Sequence, residues 1–278
     1  MTNPALQVFW IRIDILLFLW IPFAAGYSLN RPKRKMGWII LMLAMLVSFA
    51  YGLLSLERYY STTYLAQLLL TAFVTVMVSE FIRNKRTFWV GIAKALFIMV
   101  FEAGVLWFVL KSEEAFLWRW ENMDISFKAC WWGSLNEHCK QVLQQAKWIG
   151  STEMEEAIRA GYPDAFALDY LRRYFINFLI QEHGLILGIV AAAISVSFVW
   201  ALVSGARRQL CKIDRCICMS CAAYFAVQLV IALPANFGLQ WIPPYVISFL
   251  GANAGFWYTD MLALSVYMAF YKAHKQTR

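Results

Sequence analysis

Long apolar runs separated by short polar connections dominate the chain. Seven stretches, about 8 to 28, 37 to 56, 61 to 82, 87 to 110, 174 to 204, 216 to 238 and 244 to 271, carry few charges. Each reaches the roughly 20 residues that a helix needs to cross a hydrocarbon core about 30 Å thick. Strands of a membrane barrel are short and alternate in polarity, and these runs do not alternate. The pattern therefore predicts an all-α, polytopic integral membrane protein with about seven transmembrane helices. Polar residues gather in one long segment, so the chain divides into a four-span block over 1–110, a large hydrophilic loop over 111–172 and a three-span block over 173–278.

One stretch departs from this pattern. In "ANFGLQWIPPYVISFLGANAGFWYTDM", from Ala235 to Met261, prolines, glycines and amides interrupt what should be featureless apolar sequence. Pro243 and Pro244 cannot continue a preceding helix and are expected to separate the sixth span from the seventh. Gly251 and Gly255, with Ala252 and Ala254, permit close backbone approach by another helix. Asn236, Ser248, Asn253 and Asp260 are then expected to supply polar groups to a cavity wall, where irregular backbone is tolerated at membrane depth. The plainer alternative for the same residues is helix packing.

Charge orients the spans. Basic clusters follow the first span (Arg31, Lys33, Arg34, Lys35), the third (Arg83, Lys85, Arg86), the fifth (Arg207, Arg208, Lys212, Arg215) and the last (Lys272, Lys275, Arg278). Short basic loops stay on the cytoplasmic side, which predicts the N-terminus outside, the C-terminus inside and the 111–172 loop external. The net charge of +8 then faces anionic lipid headgroups, and no nucleic-acid partner is implied. Composition agrees: 61% hydrophobic, 17% aromatic and 15% charged residues exclude an ordinary soluble domain. No basic region precedes the first apolar run and no small-residue cleavage site ends it, so that run is expected to stay as a span.

The external loop interleaves acids with Trp118, Trp120, Trp131, Trp132 and Trp148, and "STEMEEAIRAG" within it reads as a capped helix. A connection this long in a compact protein is usually functional. Cys130 and Cys139 lie in it, and a bridge between them is an open alternative if the outside is oxidising. Cys211, Cys216, Cys218 and Cys221 lie at the cytoplasmic end of the sixth span. Their C-x-x-C pair has no neighbouring histidine and is entering a helix, so no metal site is assigned.

Ionisable residues inside apolar runs are costly unless paired or hydrated. Arg12, Asp14, Lys94, Glu102, Glu182, His183 and Asp260 qualify. Arg12 and Asp14 sit near a helix end, and Lys94 and Glu102 share a helical face, so structural roles suffice for them. Glu182 and Asp260 have no cation one turn away on their own helix. A carboxylate satisfied by backbone or amide donors and a working one are about equally good readings of them.

Three segments carry a family resemblance. "FAVQLVIALPANFGLQWIPPYVISFLGANAGFWYTDMLALSVYMAFYK" resembles the last two spans of the SEDS (FtsW/RodA/SpoVE-like) family of cell-division and cell-shape proteins. "YFINFLIQEHGLILGIVAAAISVSFVWALV" is similar to that family's Glu-Glu-x-Gly helix, and "QVLQQAKWIGS" to the lead-in to its large external loop. The likeness covers about residues 140 to 272. Departures are the smaller number of spans, Tyr245 and Val246 in place of Pro-Phe, Leu250 and Ala252 in place of a glycine and a serine, and Arg173 at the position of an essential external aspartate.

The resemblance implies a protein of the bacterial cytoplasmic membrane that polymerises the lipid-linked peptidoglycan precursor, lipid II, beside a class B penicillin-binding protein. It implies Asp169 or Asp164 as general base on the acceptor hydroxyl, with Glu182 as a supporting carboxylate. Arg172 and Arg173, or a divalent cation such as Mg or Mn, would stabilise the departing pyrophosphate, and Ser248, Asn253 and Asp260 would line the substrate groove. Two alternatives stand beside this one: a SEDS-like scaffold or lipid-precursor binder without catalysis, and an unrelated small-molecule transporter.

Overall fold

The computed structural model describes residues 39, 61–83, 88–90, 92, 93, 96, 97, 100, 136–151, 173–239, 247, 249, 250 and 254–272. Everything ordered into regular structure among them is helical. The helices are α1 (Ser61–Arg83), α2 (Phe175–His183), α3 (Leu185–Arg207), α4 (Lys212–Asn236) and α5 (Ala254–Lys272), and residues 136–145 form a further helical segment. Two of these helices, α3 and α4, are long and apolar enough to cross a membrane, and α1 holds a shorter apolar stretch, Phe73–Ile82. The first two predicted spans, apart from Ile39, and the "STEMEEAIRAG" helix lie outside the described residues.

The helices match the predicted runs with three corrections. The run 174–204 is two helices rather than one, because Gly184 takes φ 98° and ψ 170°, a conformation open essentially to glycine alone. Pro243 and Pro244 lie outside the described residues, and the run 216–238 becomes α4, which starts four residues earlier and ends two residues earlier than expected. Its terminator is Gly238 at φ 71°: Gly238 N–H donates to Ala235 O (3.0 Å) and Leu239 N–H to Pro234 O (2.9 Å), the paired bonds of a Schellman cap. Within the run 244–271 the described helix is Ala254–Lys272, and Ile247, Phe249 and Leu250 lie in a turn, closed by Leu250 N–H to Ile247 O (3.1 Å), with Phe249 at φ 63°.

Contacts divide the chain into two compact units. Unit 1 comprises Met1–Leu106, Val199–Val227 and Ala254–Arg278, and unit 2 comprises Trp107–Phe198 and Gln228–Asn253. In unit 1, α5 is tied to the end of α3 by Tyr267 Oη donating to Leu202 O (2.8 Å), and to α4 by the Cys218 thiol donating to Tyr267 O (3.7 Å). Ala206, Cys216, Cys218, Cys221, Ala222 and Phe225 are fully or almost fully buried there. The α3–α4 connection is clipped by Arg215, whose guanidinium donates twice to Gln209 O (2.9 and 2.6 Å). One cation of that basic cluster is thus a structural clasp, while Arg207, Arg208 and Lys212 are exposed.

Unit 2 packs segment 136–145, α2, the first half of α3 and the end of α4. Cys139, Val142, Tyr174, Ile176, Ile180, Ile231, Ala232 and Ala235 make its core, each with no exposed surface. Residues 147–150 run across the α2–α3 break in backbone register. Gly150 N–H donates to His183 O (3.1 Å), Leu185 N–H to Lys147 O (2.9 Å) and Ile186 N–H to Trp148 O (3.2 Å). A break between two helices leaves backbone groups unpaired, and this crossing strand of chain satisfies them.

Candidate functional site

The densest polar arrangement in unit 2 is built on two asparagines. Asn177 on α2 and Asn236 at the end of α4 are both completely buried. Asn177 N–H donates to Asn236 Oδ1 (3.1 Å), and Asn177 Nδ2 donates to Asn236 O (3.0 Å) and Cys139 O (3.2 Å). Asn236 Nδ2 donates in turn to Arg173 O (3.2 Å) and Ala232 O (2.8 Å). Two side-chain amides therefore bond five backbone groups on three stretches of chain, which only groups with both donors and acceptors can do. Asn236 was expected on a cavity wall; it is instead committed to this knot.

His138, on the helical segment 136–145, is buried beside Gln181 of α2. Burial lowers the imidazole pKa below its ordinary 6.5, and the hydrogen bond with Gln181 opposes that shift without overcoming it. The neighbouring Cys139 is a free thiol with no exposed surface, and burial pushes its pKa upward. The bridge left open between Cys130 and Cys139 is therefore not formed at Cys139; Cys130 lies outside the described residues. An inert buried thiol whose carbonyl serves the asparagine knot has a packing role.

Gly184 fixes the geometry of the break. A Cβ there would stand 2.7 Å from Trp148 O and 2.8 Å from the Ile149 Cα, so the crossing chain and the backbone angle each require glycine. At Gly238 the positive φ and the approach of Lys140 make the same demand. The two glycines stand in the stretches "QEHG" and "ANFG".

Unit 1 holds a second polar arrangement. Asp260 on α5 is 1% exposed, and its Oδ1 accepts a hydrogen bond from Tyr224 Oη on α4 (2.9 Å). Thr259 beside it is also buried. On α1 of the same unit, Thr71, Thr75 and Ser79 recur every four residues on a buried face, followed by the fully buried Glu80. Ser79 Oγ donates to Val76 O (2.9 Å).

Among the sequence-derived site residues, Arg173 and Glu182 fall in unit 2 and Asp260 in unit 1. Arg173 is 6% exposed and offers its carbonyl to Asn236, and Glu182 is half-buried one residue from the exposed His183. Asp164, Asp169, Arg172, Ser248 and Asn253 lie outside the described residues. Tyr224, Asn177, Gln181 and Glu80 were not anticipated. Glu80 carries the clearest overlooked signal, a carboxylate inside an apolar run that also holds Thr71, Thr75 and Ser79 at intervals of four. Among the described residues no group of three His, Cys, Asp or Glu side chains could hold a metal ion.

No family model matches this chain, and comparison with curated proteins returns no match.

Proposed function

We propose that this chain is a multi-pass, SEDS-like protein of the bacterial cytoplasmic membrane, with about seven spans, the N-terminus outside and the C-terminus inside, acting on lipid-linked peptidoglycan precursor. The observation that carries the reading is convergence. The three segments on which the resemblance rests are distant in sequence, yet unit 2 brings them together: residues 147–150 lie against Gly184, and Asn177 is bonded to Asn236. Their glycines occupy the positions where backbone angle and close approach demand glycine. Segments that share only hydrophobicity would have no reason to meet with such residue-specific requirements.

On this reading Asp169 or Asp164 activates the acceptor sugar hydroxyl at the outer surface, Glu182 supports it, and Arg172 with Arg173 meets the pyrophosphate. Mg or Mn would supply charge stabilisation on the leaving group. By the resemblance, Ser248, Asn253 and Asp260 would belong to the substrate-binding residues, and a class B penicillin-binding protein would be the partner enzyme. One observation favours a second reading, a SEDS-like protein that binds precursor or partner without catalysis: the cation at the family's aspartate position, Arg173, is buried.

Polymerisation of lipid II by the full-length protein in nanodiscs separates the two. Glycan strands that depend on Mg or Mn and vanish in Asp169→Ala or Asp164→Ala would identify a glycosyltransferase and its base. Precursor binding without polymer, even with a transpeptidase added, would leave the binding role. Neither binding nor polymer would remove the SEDS-like reading altogether.

A further inference from the structure

The loop that crosses Gly184 carries two side chains that its structural task does not require. Its bonds across the break use backbone atoms alone, yet its tip presents Trp148 and Ile149, which are 69% and 76% exposed. Apolar surface gains by leaving water, so leaving both side chains exposed forgoes stabilisation. Their position suggests what receives them. Helix α3 has 23 residues and so extends about 34 Å, only slightly more than a hydrocarbon core about 30 Å thick. If α3 spans, Leu185 and Ile186 lie at one hydrocarbon boundary, and the loop bonded to their N–H groups lies there too.

The surface beyond the tip has the same character. Ile186, Leu187, Ile189 and Val190 at the start of α3 are each at least 40% exposed, so the helix to which the tip is bonded begins with an apolar outward surface. Lys147, also exposed, adds a cation next to the tip. A tryptophan combines an apolar body with one N–H donor, which suits the boundary between acyl chains and headgroups, and a lysine beside it suits lipid phosphate.

We propose that Trp148 and Ile149 are a membrane anchor seated among the lipid headgroups of the leaflet from which α3 begins, with Lys147 on lipid phosphate. The occupant is lipid, because the tip is continuous with the apolar surface of a membrane-spanning helix and carries a cation rather than a recessed pocket. Its consequence is positional: the anchor sets the depth of the Gly184 crossing and of the Asn177–Asn236 knot below it. This inference rests on the reading of α3 as a span, and its test separates the two.

The full-length protein in nanodiscs of phosphatidylglycerol and phosphatidylethanolamine would carry a genetically encoded fluorophore in place of Ile149 or, as reference, of Ile194 in the middle of α3. Quenching is then compared for nitroxide on the lipid headgroup, nitroxide at mid-chain and aqueous iodide. The anchor predicts strongest quenching of the 149 probe by headgroup nitroxide and of the 194 probe by mid-chain nitroxide. It also predicts that Trp148→Ser moves the 149 probe towards iodide. A 149 probe quenched only by iodide, while 194 still responds to mid-chain nitroxide, overturns the anchor and leaves the span intact. A 149 probe shielded from lipid and iodide alike means that protein covers the tip, which also overturns it. A 194 probe indifferent to both lipid quenchers removes the span, and the anchor with it.

Discussion

Helices α3 and α4 differ little in length and are both apolar enough to cross a membrane, yet only 17% of the most apolar window of α3 is buried against 72% of that of α4. The difference lies in where each places its small and polar residues. Along α3 the buried positions are Gly188, Ala191, Ser195, Leu202 and Ala206, a narrow and mostly small-residue stripe, while Ile189, Val190, Ile194, Val196 and Trp200 point outward. The one hydroxyl in that stripe is satisfied within the helix, Ser195 Oγ donating to Ala191 O (2.9 Å). Helix α4 instead carries Ser220, Gln228 and Asn236, all almost wholly buried. An amide cannot be satisfied by its own helix alone and is costly in a lipid-facing position, so α4 needs protein around it. A single polar stripe permits a helix to face lipid, whereas amides call for a bundle.

The largest test of that contrast is at the asparagine knot. Asn236→Ala removes two donated bonds and strands the buried Asn177 N–H, and should destabilise by about 2–4 kcal/mol, read as a shift in reversible unfolding in detergent. If its cost proved negligible, burial of α4 would owe nothing to its amides. Gly184→Ala comes next, at about 2 kcal/mol, because the alanine meets both a forbidden backbone angle and the Trp148 carbonyl. Hydrogen exchange should accelerate first at Gly150, Leu185 and Ile186, whose amide bonds define the crossing; uniform acceleration would argue against a local break.

Tyr224→Phe should cost about 1–2 kcal/mol by leaving Asp260 without its tyrosine donor. A cycle with Asp260→Asn should return a non-additive term, and strict additivity would mean that the pair contributes no coupling. A pH response should appear on the segment 136–145. His138 titrates below its ordinary 6.5 in the folded protein, so the unfolded chain takes up the proton first as pH falls. The stability contribution is intact above about 6.5 and declines as pH drops from there towards the folded value. His138→Gln should flatten that decline, and exchange at residues 138–142 would report it. Smallest of all, Ile194→Ala on the outward face of α3 should change stability within about 0.5 kcal/mol, since it leaves no protein cavity.

Much of the helical framework was legible from periodicity and length. Ser61–Arg83 coincides with a predicted run almost to the residue, because nothing within it interrupts a helix and a basic pair of neighbours follows it. The break at Gly184 was hidden, since glycine is common in membrane helices and the apolar run passes through it without change. The end of α4 fell within two residues of the expected run, but what closes the helix, a glycine in left-handed geometry at Gly238, was not foreseen; the conspicuous Pro243 and Pro244 lie outside the described residues. For the candidate site, Asp260 was legible as a carboxylate in an apolar run, whereas Tyr224, which bonds to it, was not. A tyrosine in an aromatic-rich chain gives no sign of the partner that a second helix will bring.

Sequence alone pointed to helices and to the residues that would be expensive to bury, because these follow from local spacing and transfer free energy; of the runs it marked as long enough to cross a membrane, α3 and α4 are so among the described residues. Tertiary structure decided which of those residues meet. Asn177 and Asn236 are 59 positions apart, and Tyr224 and Asp260 are 36 apart. Their pairing depends on how helices pack. Hydrophobicity favours burying the apolar surface but is not directional, so the choice of neighbour falls to the few hydrogen bonds and close glycine contacts that only one arrangement satisfies.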